Sequence, residues 1–204
     1  PVVSPDGRCV GLLAAVNRAD APDFGDRDVR RLERFARILS RNLAADHDAM
    51  TGLLSRSAFE MQAQVILYGA GSNEQHACIL YGDIDQLHVV NDLWGFGVGD
   101  QVIAWVGRQL NAILAAHQAL ASRLSGDRFT VFLPNCTLAR GQQLADQLLQ
   151  SMHREGLAHG RHVIPVSMSW GVAPVGGPEP SLGHALAAAE IACKAAKDRG
   201  RNRV

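Results

Sequence analysis

Two stretches of the chain carry residues that could do chemistry together. Leu80-Tyr81-Gly82-Asp83-Ile84-Asp85 puts a carboxylate at the end of an apolar strand. Arg123-Leu124-Ser125-Gly126-Asp127-Arg128-Phe129-Thr130-Val131-Phe132 puts another at a tight turn between two apolar strands. Carboxylates on adjacent strand ends can hold Mg²⁺ against a nucleotide triphosphate. Taken singly, each has a plainer reading: Asp83 caps the helix that follows it, and Asp127 fills a turn.

Composition narrows the classes. The 204 residues suffice for one full domain and an additional piece, and 47% hydrophobic with 20% charged residues describes an ordinary globular protein. Twenty basic and 20 acidic side chains leave a formal charge of zero, so no global field draws the chain to a nucleic-acid polymer or an anionic membrane. Cys9, Cys78, Cys136 and Cys193 lie far apart and form no Cys-x-x-Cys pair, which argues against a zinc site and a disulfide framework. A reducing cytoplasm is the expected setting. The chain opens abruptly at Pro1-Val2-Val3, so a piece of a longer, membrane-anchored protein is also expected.

The elements that must position the carboxylates follow from periodicity. Residues 8–17 read as a buried strand ending in a polar loop over 18–25, after which Asp26 caps a helix carrying Val29, Leu32, Ala36, Leu39 and Leu43. The same positions fit heptad a and d sites of a parallel coiled coil, until Asp46 interrupts the next d. A helix packed on its own sheet and a stalk between two protomers both remain open. Ser57 and Glu60 suggest a capping box for a helix through Tyr68, ended by Gly69 to Asn73. A strand over 76–81 follows, then a short helix toward Trp94, a turn at Gly95, Gly97 and Gly99, and a longer helix lined by Val102, Ile103, Val106, Leu110, Ile113 and Leu114. Phe129 to Leu133 pairs back on Arg123-Leu124 as a hairpin closed at Ser125-Gly126-Asp127-Arg128. A helix over 138–154, a strand over 163–172 and an alanine-rich helix over 182–197 complete the order. His159-Gly-Arg-His162 could suggest a metal pair, but glycine breaks the helical spacing and no third ligand is near, so a solvated loop is expected.

The two chemical stretches, with Asn91-Asp92 and Gly99-Asp100 between them, resemble the GGDEF domain, the bacterial module that condenses two GTP into cyclic di-GMP. Asp48-Ala49-Met50-Thr51-Gly52-Leu53-Leu54-Ser55-Arg56 resembles the Asp-x-Leu-Thr-Gly-Leu-x-Asn-Arg opening of that domain and places it over 48–204. Residues 1–47 look like the closing part of a GAF sensor domain with its connecting signalling helix. The resemblance implies an α+β fold of palm-like, nucleotidyl cyclase type: a central, mostly antiparallel sheet flanked by helices. It further implies that Asp83, the carbonyl of Ile84 and Asp127 hold Mg²⁺, and that Asn91 and Asp100 recognise guanine through its O6 acceptor and its N1 and N2 donors. Lys197 and Arg201 match positions that contact the triphosphate, although basic residues near a helix C-terminus also answer the helix dipole. Gly126 would bring backbone N–H groups close to the phosphates.

Departures from the family pattern cluster at the phosphates. Arg128 stands where the family has a glutamate at the catalytic metal, a swing of two charge units. At about 4 Å and an effective dielectric near 20, each unit is worth roughly 4 kcal/mol before screening and relaxation. Ser125 replaces the first glycine of the motif, His88 a phosphate-binding lysine and Phe96 a histidine. The feedback site, an Arg-x-x-Asp, reads Ala116-His117-Gln118-Ala119. The expectation is a degenerate domain lacking an intact catalytic residue, with weakened Mg²⁺ binding. It would act as a regulatory, GTP-binding module for a neighbour such as an EAL phosphodiesterase domain beyond the C-terminus, and form a homodimer through the N-terminal helix. A weakly active cyclase and a purely structural dimerisation module are the alternatives.

Overall fold

The computed structural model describes the chain apart from residues 4–8, 18–22, 70–75 and 177–180, and divides it into two compact units, Pro1–Ala49 and Met50–Val204. No described helix is long and apolar enough to cross a membrane.

In the first unit, β1 (Val2–Val3) pairs antiparallel with β2 (Cys9–Gly11), and the Val3 N–H donates to Ser40 Oγ of helix α1 (Asp26–Ala45) at 3.1 Å. The expected strand over 8–17 is therefore much shorter. A partner strand of two residues cannot satisfy the backbone beyond Gly11, and Leu12 and Val16 stand exposed. Asp28 rather than Asp26 caps α1, its Oδ2 accepting from the Gly25 N–H at 3.2 Å, as a third-position carboxylate does. On α1, Leu32 and Ala36 are half-buried while Val29, Phe35, Ile38 and Leu39 are exposed; the Leu43 side chain lies outside the described residues, as does most of the 18–25 loop.

The second unit is built on a four-stranded antiparallel sheet in the order β4-β5-β3-β8. Its strands are β3 (Ala77–Ile84), β4 (Leu120–Ser125), β5 (Arg128–Leu133) and β8 (Met168–Val175). Helices cover both faces, as expected of an α+β palm. One core joins the sheet to α4 (Phe96–Leu114) and α5 (Leu138–Glu155) through Val102, Val106, Leu110, Leu144 and Leu148. A second lies under α2 (Arg56–Gly69) and α6 (Leu182–Asp198), around Phe59, Ile79, Tyr81, Phe132 and Ala189. Period-two alternation along β3 divides its side chains between these cores: Cys78 and Leu80 go to the first, Ile79 and Tyr81 to the second.

β3 is longer than its apolar run suggests. Gly82, Asp83 and Ile84 continue the ladder to both neighbours, with Asp83 opposite Arg128 on one side and Ser169 on the other. Gly82 permits this because a Cβ there would lie 2.5 Å from the ring of Trp170, which is fully buried across the strand. Two further corrections concern local signals. Ser55, not Ser57, caps α2, its Oγ accepting from the Ala58 N–H at 3.4 Å, while Glu60 turns to an ion pair with Arg56 at 2.8 Å. The expected end of this helix at 70–73 lies outside the described residues. The predicted strand over 163–172 is two elements. His162–Ile164 (β7) forms a hairpin with Leu157–His159 (β6), and the chain leaves strand geometry at Pro165, which has no N–H for a ladder, before β8 begins at Met168. His159 and His162 face each other across this hairpin, and both rings pack near Trp94, at centroid distances of 5.7 and 5.4 Å.

One buried carboxylate fastens the C-terminal segment to the sheet. Asp85 accepts from Ser167 Oγ (3.0 Å) and the Asn202 N–H (3.0 Å) through Oδ2, and from Ser169 Oγ (2.8 Å) through Oδ1. The Arg203 carbonyl then accepts from the Trp170 N–H at 2.8 Å. Replacing Asp85 by Ala leaves three donors without their acceptor, so Asp85→Ala is expected to cost about 3 kcal/mol. Urea denaturation reads this as a lower midpoint at unchanged slope.

Burial pushes the thiols of Cys78 and Cys193 up to about 12, and raises that of Cys136. A thiol raised in the folded state favours folding fully below its unfolded pKa, and that contribution fades as pH rises through the folded value. Stability should therefore fall from about pH 9 upward toward 12. At pH 8, iodoacetamide followed by mass spectrometry should find the exposed Cys9 modified and the other three protected until the protein is unfolded.

Candidate functional site

The hairpin that presents Asp127 is set by its turn. Ser125 pairs with Arg128, and Gly126 takes the first central position with φ 54°, a left-handed value that glycine adopts without a Cβ penalty. Ser125 keeps a negative φ, so its replacement of glycine costs the turn no strain. Arg123 Nε donates to the Gly126 carbonyl at 2.9 Å, and the Ile84 N–H donates to the Asp127 carbonyl at 3.0 Å. The second bond locks the turn against the end of β3. After Asp85 the chain passes through Gln86 in the left-handed region (φ 54°) and enters α3 (Leu87–Trp94).

Beside this junction lies an open cavity of about 550 Å³. Its walls include Asp83, Asp127, Arg128 and Lys197 from the sequence-predicted set, together with Tyr81, Glu190 and Lys194, which sequence reasoning missed. All three had a signal. Tyr81 and Asp83 are two apart on a strand and share a face; Glu190, Lys194 and Lys197 fall at helical spacing along one side of α6.

The charges in this cavity are already matched. Lys197 Nζ stands 2.5 Å from Asp83 Oδ1, an oxygen sealed from solvent, in an ion pair without hydrogen-bond alignment. Burial raises the Asp83 carboxyl, helped by the nearby Asp127 charge, while Lys197 and Arg128 pull it back only in part. The nearby Tyr81 hydroxyl raises the Arg128 guanidinium, with added attraction from Asp127 and Asp83, while the side chain itself is exposed. The Tyr81 hydroxyl donates onward to Glu190 Oε1 at 3.4 Å, and burial, the larger effect, raises this phenol. Three cations, Arg128, Lys194 and Lys197, thus face three carboxylates, Asp83, Asp127 and Glu190.

Of the two carboxylates that the resemblance assigns to Mg²⁺, Asp83 is thus paired with Lys197, and Asp127 shares the cavity wall with Arg128. Among the described residues, no group of three or more His, Cys, Asp or Glu side chains is arranged to hold a metal ion. With Lys197 paired to Asp83 and Arg128 opposite it in the ladder, the donor set does not fit a divalent cation.

The proposed guanine-recognising pair sits apart from these walls. Asn91 on α3 and Asp100 on α4 lie on either side of Gly95, whose φ of 85° turns one helix into the next. The sequence expected three glycines in this turn, but Gly97 and Gly99 lie inside α4. Gly99 serves the pair directly, because a Cβ there would collide with Asn91 Oδ1. Asn91 is half-buried and Asp100 exposed. His88 is exposed in the first turn of α3, Arg201 is exposed with φ 59°, and neither lines the cavity.

Comparison with known proteins agrees with this architecture. The family described as "Diguanylate cyclase, GGDEF domain" matches residues 45–203. The chain is 28% identical over its full length to the probable diguanylate cyclase DgcE of Escherichia coli, and 32% identical over 178 residues (87% of the chain) to the cyclic di-GMP phosphodiesterase PdeB of Shewanella oneidensis. It spans only 17% and 20% of the lengths of these two relatives. Among solved structures, the coiled coil and GGDEF domain of DgcB from Caulobacter crescentus, in complex with c-di-GMP, aligns with a TM-score of 0.74 at 27% identity, covering 87% of this chain and 93% of that one. The chain belongs to the GGDEF domain family of the diguanylate cyclases.

Proposed function

We propose that this GGDEF domain is a regulatory module of cyclic di-GMP signalling that holds GTP through Asn91 and Asp100 and does not convert it to cyclic di-GMP. The observation that carries this reading is the position of Arg128. In ladder register with Asp83, it stands on the same face of the sheet as the carboxylate that the resemblance makes a metal ligand. Diguanylate cyclases must stabilise a phosphoryl transfer almost entirely by positioning and electrostatics. A guanidinium in place of an acidic side chain, opposite Asp83, removes an anion from that arrangement and adds a cation. Base recognition does not depend on that position, since Asn91 and Asp100 stand on α3 and α4.

In this reading the strand and helix of residues 1–47 belong to a GAF-like sensor that passes a signal into the domain, and nucleotide occupancy is a second input. The exposed Val29 and Leu39 on α1 support a homodimer through that helix. The likeness to PdeB, a phosphodiesterase, supports an EAL output domain in the same longer protein. Asp83 and Asp127 are both retained on one cavity wall, which favours a slow cyclase as the second reading.

Isothermal titration of GTP into the purified chain, with the recovered nucleotide analysed for turnover, separates the readings. Micromolar binding without cyclic di-GMP is expected; accumulating product would establish the cyclase, and no binding would leave a structural dimerisation module. Asn91→Ala and Asp100→Ala should each weaken GTP by about tenfold or more, the usual worth of a hydrogen bond involving a charged or buried group, while leaving the melting temperature near that of the parent.

A further inference from the structure

The structure opposes carboxylates to built-in cations where the resemblance implies a metal, and this opposition has a consequence for the ligand. We propose that the domain binds guanine nucleotide in its metal-free form, with Arg128 and Lys197 as the cations that meet the phosphates. The proposal rests on the reading of the domain as a guanine-nucleotide binder and goes beyond it by naming the ionic form of the ligand.

Three observations carry it. First, Asp83 is not poised to accept a hydrated divalent ion: its sealed Oδ1 already faces Lys197 at 2.5 Å, in a pair that is mostly buried on both sides. A metal there would have to displace an ammonium and leave it beside a second cation. Second, Arg128 stands opposite Asp83 in the β3–β5 ladder and lines the same cavity as Lys197. A guanidinium presents its N–H donors in a planar fork, the geometry that meets phosphate oxygens in pairs. Third, the charges lining the cavity balance. With a glutamate at position 128 the same walls would carry two surplus negative charges, and a triphosphate could enter only with a divalent cation to offset them. With arginine that requirement is gone. The metal-free triphosphate carries more negative charge than its Mg²⁺ complex, so the cationic fork favours it, whereas a bound Mg²⁺ would face Arg128 and Lys197 as like charges.

The test is calorimetric titration of GTP into the whole chain, once with EDTA and once with excess Mg²⁺. Binding in EDTA should be at least as tight as in Mg²⁺. Arg128→Gln, which removes the charge and keeps most of the size, should weaken binding in EDTA by about tenfold without creating a need for metal. Arg128→Glu should abolish binding in EDTA and restore it with Mg²⁺. Mn²⁺ added alone and followed by electron paramagnetic resonance gives a readout independent of nucleotide, with no bound ion expected in the parent chain. Arg128 is exposed on the hairpin, and a thermal melt checks that its variants fold. Tenfold or greater dependence on Mg²⁺ in the parent chain overturns the proposal and leaves the GTP-binding reading intact. Absence of binding in both buffers overturns both.

Discussion

Everything at the cavity depends on β3 being hydrogen-bonded on both sides to the last residue before the site. A strand with two neighbours fixes register twice, so Asp83 cannot slip without disrupting pairs with Arg128 and Ser169 at once. Gly82 makes this possible by leaving room for the Trp170 ring, and Trp170 in turn fills the core beneath the site. Backbone pairing alone thus places an arginine beside an aspartate. Side-chain chemistry only decides what the pair does.

Much of this was legible in the sequence, and the rest was hidden for physical reasons. The antiparallel α+β sheet, the turn at Gly126-Asp127 and the apolar face of α4 were visible because each is a local signal: alternation, a glycine at a turn, three-and-four spacing. The errors arose where a partner outside the local motif decides. Whether Ser55 or Ser57 caps α2 is settled by Glu60 choosing Arg56, and the length of β3 is settled by neighbours on both sides, not by its own hydrophobicity. The β6–β7 hairpin escaped because three-residue strands carry almost no periodicity, and its histidines are explained by Trp94, which lies more than 60 residues earlier in the chain.

At the site, the sequence identified which residues differ from the family but not how the differences fit together. Arg128 read as a defect, a charge of the wrong sign at the catalytic metal. The structure sets it opposite Asp83, on a cavity wall shared with Tyr81 and Glu190, two residues on separate elements that no motif connects. Arg128 thus shares one charge-balanced cavity with Lys194 and Lys197, which lie along the same helix face.

The fastening of the C-terminal segment bears on how copies of the domain can meet. β8 and β4 are the outer strands of the sheet, where unpaired backbone groups invite another chain to add on. Arg203 takes up the Trp170 N–H on the β8 side, and on the β4 side the Leu54 N–H donates to the Ala121 carbonyl at 3.0 Å. Both borders of the sheet are thereby partly capped by irregular backbone from opposite ends of the domain. Extension of the sheet from one molecule into the next is disfavoured, and association is directed to helices and side-chain surfaces, where it can be made and broken without unfolding a strand.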